Sequence, residues 1–144
     1  MAKKETSVVE SLSRAHRVLR KDLQKLEDSV QRTSDQGIPI VHAILDGTRT
    51  HILEHFRFEE QDGYMDKVRK REPRLQRAID QLAGEHRQLA QALDTFIEDA
   101  KRASTLDPDL RERIREWVAA VRQHEAREDE LVQDSFNLDV SAED

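Results

Sequence analysis

The chain has no cysteine, so disulfides and thiolate ligands are both excluded, and any metal it holds must be bound by imidazole and carboxylate. Glycine and proline are scarce, at four and three residues, which leaves few places where a helix has to stop. Aromatic residues make up 4% and β-branched runs are short, so a sheet has little to build on. No stretch approaches the roughly 20 apolar residues of a membrane span. The N-terminal segment around Lys3 and Lys4 has no apolar core of signal-peptide length. A net charge of −6 disfavours nonspecific contact with nucleic acid or an anionic membrane surface. These absences lead us to expect a soluble, cytoplasmic protein.

What is present is charge: 38% Asp, Glu, Lys and Arg, beside 36% hydrophobic residues. A mixture rich in Leu, Ala, Glu, Arg and Gln favours long helices, each with one apolar stripe. At 144 residues we expect a single domain spanning 1–144, large enough to bury about two-thirds of its unfolded surface.

Four segments carry the stripe. The first runs Val9, Leu12, His16, Leu19, Leu23, Leu26 and Val30, opening near Thr6 or Ser7 with Glu10 placed for a capping box on Ser7. The segment from Thr33 to Gly37 ends it, and Pro39 suits the first turn of the second helix. That helix shows Val41, Ile44, Thr48, Ile52, His55 and Glu59, and is expected to bend around Gly63 with a short helical turn on to Glu72. Pro73 then opens the third, with Leu75, Ile79, Leu82, His86, Leu89, Leu93, Phe96 and Ala100. Asp107 caps the fourth and Pro108 begins it, followed by Leu110, Ile114, Trp117, Val121, His124, Glu128 and Leu131. The polar tail from about residue 138 is expected to fray. Amphipathic helices with short connections predict an all-α, antiparallel up-down-up-down four-helix bundle.

Polar residues interrupt these stripes at His16, His55, Glu59, His86, His124 and Glu128, where Leu or Ile belongs. A buried carboxylate or lone imidazole is costly unless it finds a partner, and metal ions supply one for all six. The chain contains a histidine followed by an HxxxE pair twice, about 70 residues apart: His16 with His55 and Glu59, then His86 with His124 and Glu128. Residues four apart share a helix face, so imidazole and carboxylate can address one metal pair. His16 and His55 each lie roughly 25 Å from the turn between their helices at 1.5 Å rise per residue, and His86 and His124 bracket the next turn similarly. The six therefore meet at one level. Glu60, Glu125 and Asp129, next to these positions, turn about 100° away on an ideal helix and are expected to be exposed.

This double HxxxE arrangement, with the words His55-Phe-Arg-Phe-Glu59-Glu60 and Gly63-Tyr64-Met65, resembles the bacterial hemerythrin-like (HHE cation-binding) domains over nearly the whole chain. The resemblance implies an oxo- or hydroxo-bridged di-iron centre in a four-helix bundle. The chain departs from the oxygen-carrying members, which have a fifth histidine in an HxxxH pair on the third helix. Here Ala90 and Leu82 flank His86 at four residues. Those members also place the last carboxylate five residues after its histidine, at Asp129 in this chain; the stripe and the repeat favour Glu128. One metal would take His16 and His55, the other His86 and His124, with Glu59 and Glu128 bridging. Imidazole with carboxylate suits iron or manganese, and zinc is possible.

Simpler roles exist for the remaining residues. His51, one turn before His55, is either an added ligand, an outer partner of one, or a polar residue at the bundle edge. Tyr64 either reaches the metal pocket with its phenol or is half-buried where the second helix bends. His42 is expected on the surface and Trp117 in the core. The functional expectation is a di-iron protein that binds or reacts with O2, NO or hydrogen peroxide, in sensing, scavenging or catalase-like turnover. Its rivals are a non-enzymatic iron- or oxygen-responsive module and a metal-free helical interaction domain. No nucleic acid or membrane partner is expected, and no protein partner is indicated.

Overall fold

The structure is a computed structural model, described for residues 2–143, with side chains described for 8–61 and 63–136. Four long helices build it: α1 (Ala2–Arg32), α2 (Ile38–Arg57), α4 (Gln76–Arg102) and α5 (Pro108–Glu143), with the short α3 (Tyr64–Arg71) between α2 and α4. No strand occurs among the described residues, and no described helix is long and apolar enough to cross a membrane. The helical backbone begins at Ala2, ahead of the expected start; the side chains of Thr6 and Ser7, the expected caps, lie outside the described residues. The backbone of α5 continues helically through the expected tail, whose side chains are likewise outside them.

The helix starts follow the expected chemistry where they are described. Pro39 sits in the first turn of α2, and Asp107 Oδ1 accepts the Leu110 N–H at 2.8 Å to cap α5. The apolar stripes pack together, with α1 against α2 and α5, and α4 against α2 and α5. Thr48 is tolerated in the core because its hydroxyl donates to Ile44 O at 2.9 Å. Trp117 is buried and donates Nε1–H to Leu89 O at 2.9 Å. Arg111 ties the two helix connections together, donating to the carbonyls of Val30, Thr33 and Leu106, while Leu106 N donates to Asp35 O at 2.8 Å.

The core is two apolar clusters, and the polar level separates them. One holds Leu19, Leu23 and Leu26 of α1 with Ile52, Leu93, Ile114 and Trp117, toward the connections that Arg111 joins. The other holds Val8, Leu12, Ile79, Leu82 and Val132 with Tyr64, Met65 and Val68 of α3, which packs on α1, α4 and α5.

Between α2 and α3 the chain makes one π-helical turn, Phe58–Asp62, in place of the expected simple bend. Such wide turns change the phase of the residues that follow and concentrate at functional sites. Gly63 closes it because nothing larger fits: a Cβ there would lie 2.8 Å from Phe58 O and 3.0 Å from Glu59 Cα.

Candidate metal centre

His16 comes from α1, His55 from the last turn of α2, Glu59 from the π-turn, His86 from α4, and His124 and Glu128 from α5. All are buried except the His55 side chain, which keeps 8% of its surface exposed. The structure brings the six together as two groups: His16, His55, Glu59 and Glu128, then Glu59, His86, His124 and Glu128, each with its ligand atoms within 4.8 Å of one another.

Each carboxylate spans both halves. Glu59 Oε2 lies 3.0 Å from His16 Nε2 and 3.2 Å from His55 Nε2, while its Oε1 lies 3.2 Å from His86 Nε2. Glu128 Oε1 faces His16 Nε2 at 3.2 Å and His124 Nε2 at 3.4 Å, and its Oε2 faces His86 Nε2 at 3.5 Å. The Tyr64 hydroxyl donates to Glu128 Oε2 at 2.7 Å, so Tyr64 is wholly buried and reaches the centre through that carboxylate.

Behind the histidines stands a second layer of acids that the sequence reading missed. Asp129 Oδ1 accepts from His16 Nδ1 at 2.9 Å, Glu60 Oε2 from His86 Nδ1 at 2.7 Å, and Glu85 Oε1 from His124 Nδ1 at 2.8 Å. Arg127 grips Glu85 in turn through two contacts of 2.7 Å. Glu60 and Asp129 were expected to be solvated. They are not free, because a residue about 100° off the inward stripe still faces a neighbouring helix, and the π-turn re-aims Glu60 toward α4. Glu125 is a plainer correction: expected to be exposed, it is 2% exposed between α5 and α1, with neither oxygen hydrogen-bonded. His51 stays outside both groups, exposed and paired with Asp22 Oδ2 at 3.0 Å. His42, expected on the surface, is half-buried.

The repeat did contain a signal for part of this layer. Each bridging-type glutamate is followed by an acid, Glu59-Glu60 and Glu128-Asp129, and each of these reaches the lone histidine of the other half-site. Glu85 supports a histidine on another helix, and no local spacing announces that.

These contacts decide what the site can hold. A ring nitrogen that donates to a carboxylate through Nδ1 presents its Nε2 lone pair to the interior in the neutral tautomer. Buried Nε2 atoms of His55, His86 and His124 and Oε1 of Glu59 then have no hydrogen-bond partner, although each of these Nε2 atoms lies within 3.5 Å of an oxygen of Glu59 or Glu128. Acceptors facing acceptors in a dry core need cations between them. Protons are one answer. Burial opposes a charged His16, but its bonds to Asp129, Glu128 and Glu59 outweigh it and push the imidazole up to about 12. His86 is likewise pushed up to about 10 against burial by Glu128 and Glu59, and His124 is raised by Glu128 and Glu85. Burial would raise Glu59 and Glu128, but the facing histidines hold both below the usual carboxylate range. Tyr64 is held far from ionisation by burial and by the charges of Glu128 and Glu59.

Metal ions are the other answer, and the donor set fits them. Two imidazoles per half with two shared carboxylates is borderline-hard chemistry suited to iron or manganese, and the outer carboxylates fix tautomer and ring orientation as metal-bound histidines require. With the imidazoles neutral, as metal ligation requires, the cations paired with this acid-rich cluster among the described residues are Arg127 on Glu85 and Arg20 on Asp129, which leaves it short of positive charge. A model of the hemerythrin HHE cation-binding domain matches residues 7–134. The chain belongs to this family. Comparison with curated proteins and with solved structures gives no match. Cation binding is thus the family's property, and the His/Glu cluster of this HHE domain is where the chain can provide it.

Proposed function

We propose that this HHE domain is a non-haem di-iron protein that binds or reacts with a small oxidant: O2, NO or hydrogen peroxide. The observation that carries the reading is the pair of four-residue groups sharing Glu59 and Glu128, in which Nε2 of His55, His86 and His124 and Oε1 of Glu59 are buried without a hydrogen-bond partner. In it His16 and His55 would hold one iron and His86 and His124 the other, with Glu59 and Glu128 shared between the two groups. Bound iron supplies the electron exchange with the oxidant. The protein's own part is different. Asp129, Glu60 and Glu85 keep three imidazoles aimed inward, and Tyr64 holds Glu128 in place through the only O–H that any described residue donates to the two bridging carboxylates. The apolar clusters on either side exclude bulk water, and Phe56, stacked on His86 at 3.9 Å between centroids, closes one wall.

The same reading takes the bundle as antiparallel and up-down-up-down. The contacts from Arg111 and Leu106 to both helix connections support it, since they put the α1–α2 and α4–α5 turns at one end. The test is a titration of metal-free protein with Fe(II), followed by ultraviolet-visible spectra in air and by O2 release after peroxide addition. Near-ultraviolet absorption that develops in air, with a response to at least one of the three oxidants, is the expected result. Iron binding without any such response would make the domain an iron-responsive module. No iron uptake would leave a helical interaction domain.

A further inference from the structure

The centre has an internal two-fold likeness, and one break in it points to how metal gets in. Offsetting the chain by about 70 residues superposes the lone histidines His16 and His86 and the paired histidines His55 and His124. It also superposes two surface grooves. One, between α4 and α5, has a volume of about 530 Å³ and ends on His124; the other, between α1 and α2, has about 390 Å³ and ends on His55.

At the α4–α5 groove, Glu85 precedes His86 and locks His124 Nδ1, with Arg127 holding Glu85. At the α1–α2 groove the corresponding residue before His16 is Ala15, which has nothing to offer His55. Among the described residues, His55 Nδ1 has no hydrogen-bond partner, and His55 is the most exposed of the four site histidines. It is the one site histidine without an outer carboxylate to hold its ring.

Charge separates the grooves as well. Asp22 and His51 line the α1–α2 groove where Ala92 and Ala120 line its counterpart, and Glu54 adds a second acid. No Arg or Lys lines it. The α4–α5 groove carries Arg113 and Arg127, the cleft beside His86 carries Arg57 and Arg87, and the cleft at Tyr64 carries Lys67. A cleft lined with one sign of charge concentrates the opposite ion, and here only the His55 side favours a cation over the others.

We infer that divalent cations reach the centre through the α1–α2 groove, collected by Asp22, His51 and Glu54 and admitted by rotation of His55. This rests on the metal-centre reading above and adds a loading route to it. The experiment mixes metal-free protein with Co(II) at low ionic strength, follows uptake by stopped-flow visible absorption, and measures final cobalt content. An Asp22→Asn/Glu54→Gln variant removes the collecting charge. Ala15→Gln offers His55 Nδ1 an acceptor at the position from which Glu85 holds His124, without the carboxylate's charge. Both should slow uptake on the order of ten-fold and leave final cobalt content at the wild-type value. Glu116→Gln, which removes one carboxylate at the α4–α5 groove, should leave the rate unchanged. Unchanged rates in the first two variants, equal slowing by Glu116→Gln, or reduced final content in Asp22→Asn/Glu54→Gln would overturn the route. A wild-type protein that takes up no cobalt would overturn the metal centre itself.

Discussion

Replacing Glu128 or its neighbour Asp129 by alanine separates a bridging role from a supporting one. Glu128 is fully buried, and its two oxygens face His16, His86 and His124 and accept from Tyr64. Its removal takes one residue from both four-residue groups and one negative charge from between them, so Glu128→Ala should bind fewer than two irons and lose the near-ultraviolet absorption of the bridged pair. Among the site residues Asp129 touches only the outer nitrogen of His16, and it is one-third exposed beside Arg20, so water can replace it. Loss of such an outer partner weakens metal binding about 10–100-fold, or about 1.4–2.7 kcal/mol, and exposure argues for the lower figure. Asp129→Ala should therefore still fill both sites at saturating iron. Iron content by elemental analysis, with competition against a chromophoric chelator for affinity, reads the difference. If Asp129→Ala empties the site while Glu128→Ala keeps two irons, the helix α5 assignment is wrong.

Three further outcomes follow from the geometry. Without metal, His16 and His86 titrate far above 6.5 and Glu125 is pushed by burial up to about 7, so each contributes stability at low pH that is lost as pH rises through its folded value. Metal binding requires those histidine protons to leave, so the gap between metal-loaded and metal-free melting temperatures should widen from about pH 6 to pH 9; a gap that narrows would refute this. Gly63→Ala forces a Cβ against Phe58 O and Glu59 Cα, and should cost about 1–3 kcal/mol in denaturant unfolding while weakening iron binding, because the π-turn that places Glu59 must shift. Tyr64→Phe leaves Glu128 Oε2 without its buried donor and should cost about 1.5–3 kcal/mol in the same assay; an unchanged midpoint would mean that the hydroxyl does not support the carboxylate.

The helices and the inward-facing residues were legible because both follow from one periodicity. Leu12, His16, Leu19 and Leu23 stand on one face of α1, and the structure buries all four. The turn chemistry at Pro39 and Asp107 was equally readable, since caps are local. What the sequence hid is set by neighbours. Glu125 is buried because α1 covers that flank of α5, and Glu85 matters because Arg127 and His124 meet it across a helix interface. The π-turn was visible only as a break at Gly63, since its extra residue alters phase without altering composition. His51 takes the bundle-edge alternative: it shares a side with His55, yet one turn closer to the connection it meets Asp22 and solvent instead of the centre.

Metal stoichiometry tests the central claim most directly. Metal-free protein titrated anaerobically with Fe(II), then separated from excess and analysed for iron and protein, should hold two irons per chain, one for each group that shares Glu59 and Glu128. A plateau at one iron, or at none, would contradict the account.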